Sequence, residues 1–188
     1  MTAAGTRRVY FALWPDRAQQ MELAEATKAA VAQSHGRVVP AGNLHVTLAF
    51  LGSVLEARLA DVRAVGARVA AETAASGARL SFASLECWKR AGALCAVADG
   101  GDAAAAALAE GLRRELVASG FAPDLKPFRP HVTLARKVRA VGERERTSND
   151  GLARRPIVWA FRSFALVDSR TEAQAAIYSV LDSFQIGR

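Results

Sequence analysis

The pentapeptide HVTLA occurs twice in this chain of 188 residues, at 45–49 and again at 131–135. The two copies contain two of the three histidines, so chance recurrence in an alanine-rich chain is the weaker explanation. The flanking segments also match in order. From Arg8 to Leu51, and again from Leu94 to Val138, a predicted strand is followed by an aspartate, a helix, a proline-bearing approach and a strand that opens with HVTLA. This order predicts an internal duplication with two similar lobes.

Turn residues and apolar spacing predict one globular domain over residues 1–188, with no linker between its halves. Strands are predicted at 8–14, 44–51, 80–89, 94–98, 131–138, 157–167 and 175–184. The turn between the third and fourth strands is assigned to Arg90, Ala91 and Gly92. Helices are predicted from Asp16 to about Ser34, from Leu55 to about Gly77, and onward from Asp102. Their expected buried faces are Leu23, Ala26, Ala30 and Val31, then Leu55, Leu59, Val62, Val65 and Val69, then Ala105, Leu108, Leu112 and Leu116.

The composition favours a cytoplasmic protein with a phosphate-bearing partner. Lys and Arg total 25 against 18 Asp and Glu, a formal net charge of +7, and arginine pairs well with phosphate. A solvated, arginine-rich surface explains the same charge about equally well. No segment has the length of apolar sequence that spans a membrane, and the N-terminus does not resemble a signal peptide. Cys87 and Cys95 are too few for a disulfide framework, so we expect idle or buried thiols.

Each HVTLA copy places a histidine and a threonine on one face of a strand. Side chains two residues apart on a strand share a face, so His45 projects with Thr47, and His131 projects with Thr133. The intervening valine and the following leucine point into apolar packing. If the lobes pack pseudo-symmetrically, both faces meet in one cleft.

Two imidazoles at one reacting centre can act as general acid and general base near neutral pH. Threonine hydroxyls add neutral donors, and the set suits phosphoryl transfer, where charge develops on phosphate oxygens. Neither motif contains the carboxylates of a magnesium site, so we expect no metal and no cofactor. A lone histidine in a strand is more often structural than catalytic, but two matched copies reverse those odds. His35, at the end of the first helix, receives no role.

The sequence resembles the 2H phosphoesterases, and within them the RNA 2′,3′-cyclic phosphodiesterases, also called 2′-5′ RNA ligases. The resemblance rests on RVYFALWPD, NLHVTLAFLG and FRPHVTLAR, and less sharply on LVDSR and IYSVLDSF. It implies a bilobal, pseudo-symmetric α+β fold, with an antiparallel sheet in each lobe lining a central cleft and helices outside. It also implies opening of a ribose 2′,3′-cyclic phosphate to a 2′-phosphomonoester.

The same resemblance assigns roles that spacing alone leaves interchangeable. It implies that His45 donates a proton to the leaving oxygen and that His131 accepts one from water. It implies that Thr47, Thr133 and Arg136 bind phosphate oxygens.

An aromatic residue near Phe50 contacts a base in this family, so Phe50 is a further candidate. Strict alternation nevertheless places Phe50 in the core and Arg136 opposite the cleft, so a role for Arg136 needs a bulge, a strong twist or a strand end there. Phe11 and Trp14 are expected in the core or the groove lining.

Other functions remain open from sequence. The chain could be an RNA-end binding module without turnover, or could act on 2′-5′ linkages or small cyclic nucleotides. The absence of a glycine-rich phosphate loop with its lysine excludes an ATP-dependent ligase of that type. The partners we expect are RNA ends or cyclic nucleotides, with no membrane, no obligate protein partner and a monomeric state. The polar segment 136–155 is expected to be a loop that could guide RNA by its charge.

Overall fold

A computed structural model describes residues 5–73, 77–99, 102–138, 152, 155–171 and 176–187. The strands within this part are β1 (Thr6–Leu13), β2 (Arg37–Val38), β3 (Val46–Leu55), β4 (Ala78–Trp88), β5 (Ala93–Ala98), β6 (His131–Arg136), β7 (Ile157–Phe161), β8 (Ser163–Thr171) and β9 (Ala176–Gln185). The α-helices are α1 (Arg17–Gln33), α2 (Leu59–Glu72) and α3 (Ala103–Ala118).

All nine described strands belong to one sheet, in which the two halves follow the same order outward from the centre. The order is β7-β4-β5-β6-β3-β1-β8-β9, and the two-residue β2 pairs with β6 off this path. In each half, the HVTLA strand lies innermost and the preceding long strand lies next to it. The halves join where Val46 pairs with Val132, the second residue of each motif. The predicted α+β fold with two pseudo-symmetric halves is confirmed, and the two lobe sheets are continuous.

The helices cover one face of the sheet and leave the other face to the cleft. α1 packs near β6, α2 against α3 and β9, and α3 against β3 and β4. Valine and leucine side chains of both HVTLA copies lie in this main core with the helices. Two smaller clusters occupy the opposite face, one around Tyr10 and Ala12 and the other around Ala93 and Cys95. The same strands therefore bury apolar residues on one face and present the site on the other.

Local sequence explains where the helices begin. Asp16 accepts a hydrogen bond from the backbone N–H of Gln19, and the Gln19 side chain accepts one from the N–H of Asp16, a capping box at the start of α1. Asp102 accepts from the N–H of Ala105 and so caps α3. The predicted turn between β4 and β5 contains a short 3₁₀ segment and ends at Gly92, whose φ of 56° favours glycine.

Several sequence predictions need correction. The strand predicted over 157–167 is two strands, β7 and β8, because the chain bends at Arg162 between them. Leu55 ends β3 and is 48% exposed instead of lying on the buried face of α2. Ala26 is exposed, and Thr27 is buried beside it with its hydroxyl donating to the Leu23 carbonyl at 2.7 Å.

The remaining differences concern short or undescribed segments. The two-residue strand β2 was not predicted, because two residues carry no periodicity. Most of the segment predicted as an RNA-guiding loop, residues 139–151, lies outside the described residues.

Candidate active site

Each HVTLA copy contains a β-bulge at the same position. In both copies, the third and fifth residues of the motif pair with consecutive residues of the neighbouring strand. The fourth residue, Leu48 in β3 and Leu134 in β6, therefore has no partner across that ladder. The leucine and the alanine after it are both buried in the main core. An extra residue of this kind reverses the alternation of all side chains beyond it.

The bulges bring Phe50 and Arg136 onto the cleft face. Alternation without a bulge predicted Phe50 in the core, and this is wrong: Phe50 is half-buried and packs with the cleft-face cluster around Tyr10. Arg136 is exposed and lines the same pocket as both histidines. The condition that the sequence placed on Arg136, a bulge before it, is met at Leu134.

One small polar cavity collects residues from both halves of the sheet. It has a volume of about 180 Å³. Its lining is Val39, Asn43, His45, Thr47, Trp88, Ala91, Ala93, Cys95, His131, Thr133, Arg136 and Tyr178. We call this cavity the histidine pocket. It brings together His45 and Thr47 from the first motif with His131, Thr133 and Arg136 from the second. More than eighty residues separate the two sets in the sequence.

The two imidazoles are held in the same tautomer by equivalent bonds. His45 Nδ1 lies 2.7 Å from the carbonyl oxygen of Asn43, and His131 Nδ1 lies 2.7 Å from that of Arg129. A carbonyl oxygen only accepts, so each Nδ1 carries the hydrogen and donates it. In both neutral rings, Nε2 is consequently the nitrogen that can take up or release a proton.

Aromatic side chains enclose His45. Its ring stacks with Tyr10 at 5.0 Å and with Trp14 at 5.2 Å, and the edge of Tyr178 meets it at 5.3 Å between centroids. Burial in this cage lowers the pKa of His45 to about 4, against an opposing effect of its bond to Asn43. The positive charges of Arg136 and His131 contribute to this lowering of the His45 pKa.

His131 has a more polar environment. Its ring lies 4.3 Å from that of Trp88, and Arg129 and Glu86 lie around this pair. Burial lowers the pKa of His131, and the charges of Arg129 and Arg136 act in the same direction. Its bond to the Arg129 carbonyl and the charge of Glu86 raise it.

Both rings therefore favour the neutral form at pH 7. An acid–base pair needs one of them protonated. A bound phosphate supplies an opposite charge next to both imidazoles, which raises both pKa values. The pocket is consequently suited to an anionic substrate whose own charge helps to protonate one histidine.

A larger cavity of about 630 Å³ adjoins the histidine pocket and shares Thr47, Trp88 and His131 with it. Its other lining residues are Leu48, Ala49, Phe50, Asp124, Lys126, Pro127, Phe128 and Arg129. We call it the side groove. Aromatic rings with neighbouring cations suit a stacked base and a phosphate. The guanidinium of Arg8 also lies over the Phe50 ring, at 4.7 Å from its centroid.

Sequence reasoning assigned no role to three residues of the site. Tyr178 lies in the quoted segment IYSVLDSF, so a signal for it existed. Trp88 and Glu86 lie at the end of β4, before the turn to β5, and belong to no motif. His35, which received no role, is exposed with a φ of 49° and does not line either cavity.

The described part of the chain lacks two kinds of feature. It contains no group of three or more His, Cys, Asp or Glu side chains placed to hold a metal ion. None of its helices combines the length and the apolar character needed to cross a membrane.

Comparisons with known proteins identify the family of this chain. An RNA 2′,3′-cyclic phosphodiesterase of Thermus thermophilus is 34% identical over 181 residues, which cover 87% of this chain and 86% of the relative. The crystal structure of TT0787 of the same species matches with a TM-score of 0.75 at 28% identity, over 95% of this chain and 97% of that one. Escherichia coli LigT complexed with 3′-AMP has the same fold, with a TM-score of 0.81 at 22% identity over 98% and 100% of the two chains. A model of the 2′-5′ RNA ligase superfamily matches residues 14–173. This chain therefore belongs to the 2′-5′ RNA ligase superfamily.

Proposed function

We propose that this protein hydrolyses the 2′,3′-cyclic phosphate at an RNA end to a 2′-phosphomonoester, without a metal ion. Family membership supports a phosphodiesterase-type activity, and the relative named an RNA 2′,3′-cyclic phosphodiesterase supports this substrate. The observation that carries the proposal is the histidine pocket, where two imidazoles in the same tautomer accompany two threonines and an arginine.

In the proposed reaction, His131 Nε2 accepts a proton from water as the water oxygen attacks phosphorus. The bond from phosphorus to O3′ breaks, and His45 Nε2 gives its proton to O3′. The products are a free 3′-hydroxyl and a 2′-phosphomonoester. The shared tautomer leaves the direction of transfer open, so this assignment follows the family resemblance. The charge of the bound phosphate favours the protonated His45 that the first turnover requires.

Four further residues bind the substrate in this proposal. Thr47 and Thr133 donate hydrogen bonds to phosphate oxygens, and Arg136 neutralises the charge that grows on them. Phe50, at the wall of the side groove, stacks with the base of the terminal nucleoside.

We further propose that residues 1–188 form one bilobal domain that arose by internal duplication and works as a monomer. The symmetric strand order and the pairing of Val46 with Val132 support the single duplicated domain. The shared bulge at Leu48 and Leu134 supports it independently, because a bulge is a specific local feature. Residues from both lobes complete the histidine pocket, so neither lobe would be active alone.

The test uses a short RNA ending in a 2′,3′-cyclic phosphate, with excess EDTA, and separates 2′- from 3′-phosphate products. We expect the wild type to form the 2′-phosphate. His45→Ala and His131→Ala should each lower kcat by at least about 10²-fold, as expected for losing a general acid or base. His35→Ala is the matched control and should retain full activity.

Each contrary result identifies another function. Tight RNA binding with no turnover would indicate a binding module. If a 2′-5′-linked dinucleotide or a nucleoside 2′,3′-cyclic phosphate is turned over faster than the RNA, that compound is the substrate. Loss of turnover in EDTA, restored by a divalent ion, would contradict the metal-independent mechanism.

A further inference from the structure

One carboxylate outside the motifs connects to both residues that fix His131. Glu86 Oε2 accepts a hydrogen bond from the Trp88 indole N–H at 2.8 Å, and its Oε1 pairs with the guanidinium of Arg129. That guanidinium also lies over the Trp88 ring, 5.2 Å from its centroid. Glu86, Trp88 and Arg129 thus form a closed cluster, which we call the Glu86 network.

The Glu86 network contacts His131 at two points. The Trp88 ring packs against the imidazole at 4.3 Å between centroids. The backbone carbonyl of Arg129 accepts the hydrogen on Nδ1 at 2.7 Å, which determines the tautomer. Glu86 does not belong to either motif. It is linked to His131 by contacts through these two neighbours, and its charge acts on the imidazole through space.

The other lobe has no counterpart of Glu86. In β5, Cys95 pairs with Thr133 on one side and with Glu86 on the other. In β1, Ala12 pairs with Thr47 on one side and with Ala165 on the other. Glu86 and Ala165 therefore occupy equivalent positions, and the carboxylate serves one histidine only.

We propose that Glu86 is a positioning residue for His131, acting through Trp88 and Arg129 to hold the imidazole in its ring orientation and tautomer. This inference deepens the proposed function and rests on it, since it assumes that His131 exchanges a proton with the substrate. Glu86 acts without contacting the substrate. Its negative charge also favours the imidazolium form that His131 takes after accepting a proton.

Other charged groups face His131 and set the background for this effect. Arg129 and Arg136 disfavour the imidazolium, and His45 lies across the pocket. Asp124 and Lys126 line the side groove with His131, and Cys95 and Tyr178 line the histidine pocket with it. Among the described residues whose charges shift the pKa of His131, the only carboxylate is Glu86.

The experiment compares wild type with Glu86→Gln, Glu86→Ala and the control Glu115→Gln. Glu115 is also an arginine-paired carboxylate, but it lies on α3 beside Arg68 and Arg114. Histidine ¹⁵N NMR titration reports the pKa and tautomer of each ring without substrate, and kcat/KM is measured against pH in parallel. Glu86→Gln keeps one acceptor oxygen and removes the charge, whereas Glu86→Ala removes both.

We expect Glu86→Gln to lower the pKa of His131, leave that of His45 nearly unchanged, and move the matching limb of the kcat/KM profile to lower pH. Its kcat should fall by less than the roughly 10²-fold expected for losing the base itself, with KM little changed. Glu86→Ala should be slower still, and its His131 should show a mixture of tautomers. Glu115→Gln should match wild type in every readout.

Unchanged titration and tautomer of His131 in a folded Glu86→Gln protein would overturn the inference, even with an active wild type. An inactive wild type with a shifted His131 titration would instead contradict the proposed function and leave the positioning role of Glu86 intact. Amide spectra identify any variant that fails to fold, and Glu86→Gln then decides the question without Glu86→Ala.

Discussion

The two lobes share a backbone and differ in what surrounds it. Both present His-x-Thr before a bulged leucine, and both bond the imidazole to the carbonyl two residues earlier. After the bulge, the first lobe carries Phe50 and the second carries Arg136. His45 lies among aromatic rings, whereas His131 lies beside Trp88 within reach of ionic groups.

This difference shows how a symmetric frame can hold an asymmetric substrate. In each lobe, the bulge turns one additional side chain toward the cleft. This side chain is Phe50 in the first lobe and Arg136 in the second. In the function proposed above, a phosphate meets Arg136 on one side and a nucleoside meets Phe50 on the other. In that proposal, the repeated His-x-Thr transfers protons, and the position that differs between the two copies recognises the substrate.

Arg136 should give the largest effect among these recognition residues. Arg136→Gln removes a charge-assisted contact, so kcat/KM should fall by about 10- to 100-fold, corresponding to roughly 1.5–3 kcal/mol. The pKa of His45 should also rise, because Arg136 lowers it. Steady-state kinetics with the cyclic-phosphate RNA measures the first effect, and NMR titration measures the second.

Lys137→Gln is the charge-matched control for Arg136. Lys137 is the next residue, is exposed, and does not line the histidine pocket. An equal loss of kcat/KM in both variants would show that overall positive charge determines activity. Arg136 would then have no specific role that distinguishes the second lobe from the first.

The lowered pKa of His45 should make the fold sensitive to acid. A histidine with a folded pKa of about 4 and an unfolded value of 6.5 stabilises the fold fully above pH 6.5, and this stability is lost as the pH falls from 6.5 to 4. At pH 5, the loss from His45 should be roughly 2 kcal/mol relative to pH 7. Urea unfolding of wild type and His45→Gln at both pH values measures it.

His131→Gln sharpens the same comparison. The pKa of His131 is lowered too, but Glu86 opposes the shift, so removal of His131 should reduce the pH dependence less than removal of His45. An equal reduction in both variants would mean that the aromatic cage around His45 does not distinguish the two rings.

The sequence was sufficient for the periodic and repeated features of this protein. The HVTLA repeat and its flanking elements predicted the symmetric fold, and period-two alternation predicted that His45 would share a face with Thr47. Alternation failed at Phe50, because a one-residue bulge leaves no mark on hydrophobic periodicity. The Glu86 network was also out of reach, since it joins β4 to the segment before β6 by contacts that only the folded sheet creates.

Phe50 should matter less than Arg136, and mainly for binding. Base stacking on an aromatic ring contributes about 1–3 kcal/mol. We expect the lower end of this range because the Arg8 guanidinium already lies over the Phe50 ring. Phe50→Ala should therefore raise KM by about 5- to 10-fold, corresponding to roughly 1–1.4 kcal/mol, while kcat changes little. Phe50→Tyr keeps the ring and should stay near wild type. A comparable rise in KM for a cyclic phosphate that lacks a base would show that Phe50 shapes the pocket instead of binding the nucleoside.

The threonines should give the smallest effects and the most direct test of symmetry. Thr47→Val and Thr133→Val remove one hydroxyl each with little change in shape. Each should lower kcat/KM by about 2- to 12-fold, because Arg136 and the other threonine still bind the phosphate. The Thr133 hydroxyl also bonds Cys95, whereas the position equivalent to Cys95 in the first lobe is Ala12. Thr133→Val should therefore cost somewhat more stability than Thr47→Val, and the serine variants should restore activity at both sites. If only one threonine affects kcat/KM, the phosphate lies against one lobe, and the second His-x-Thr contributes its histidine alone.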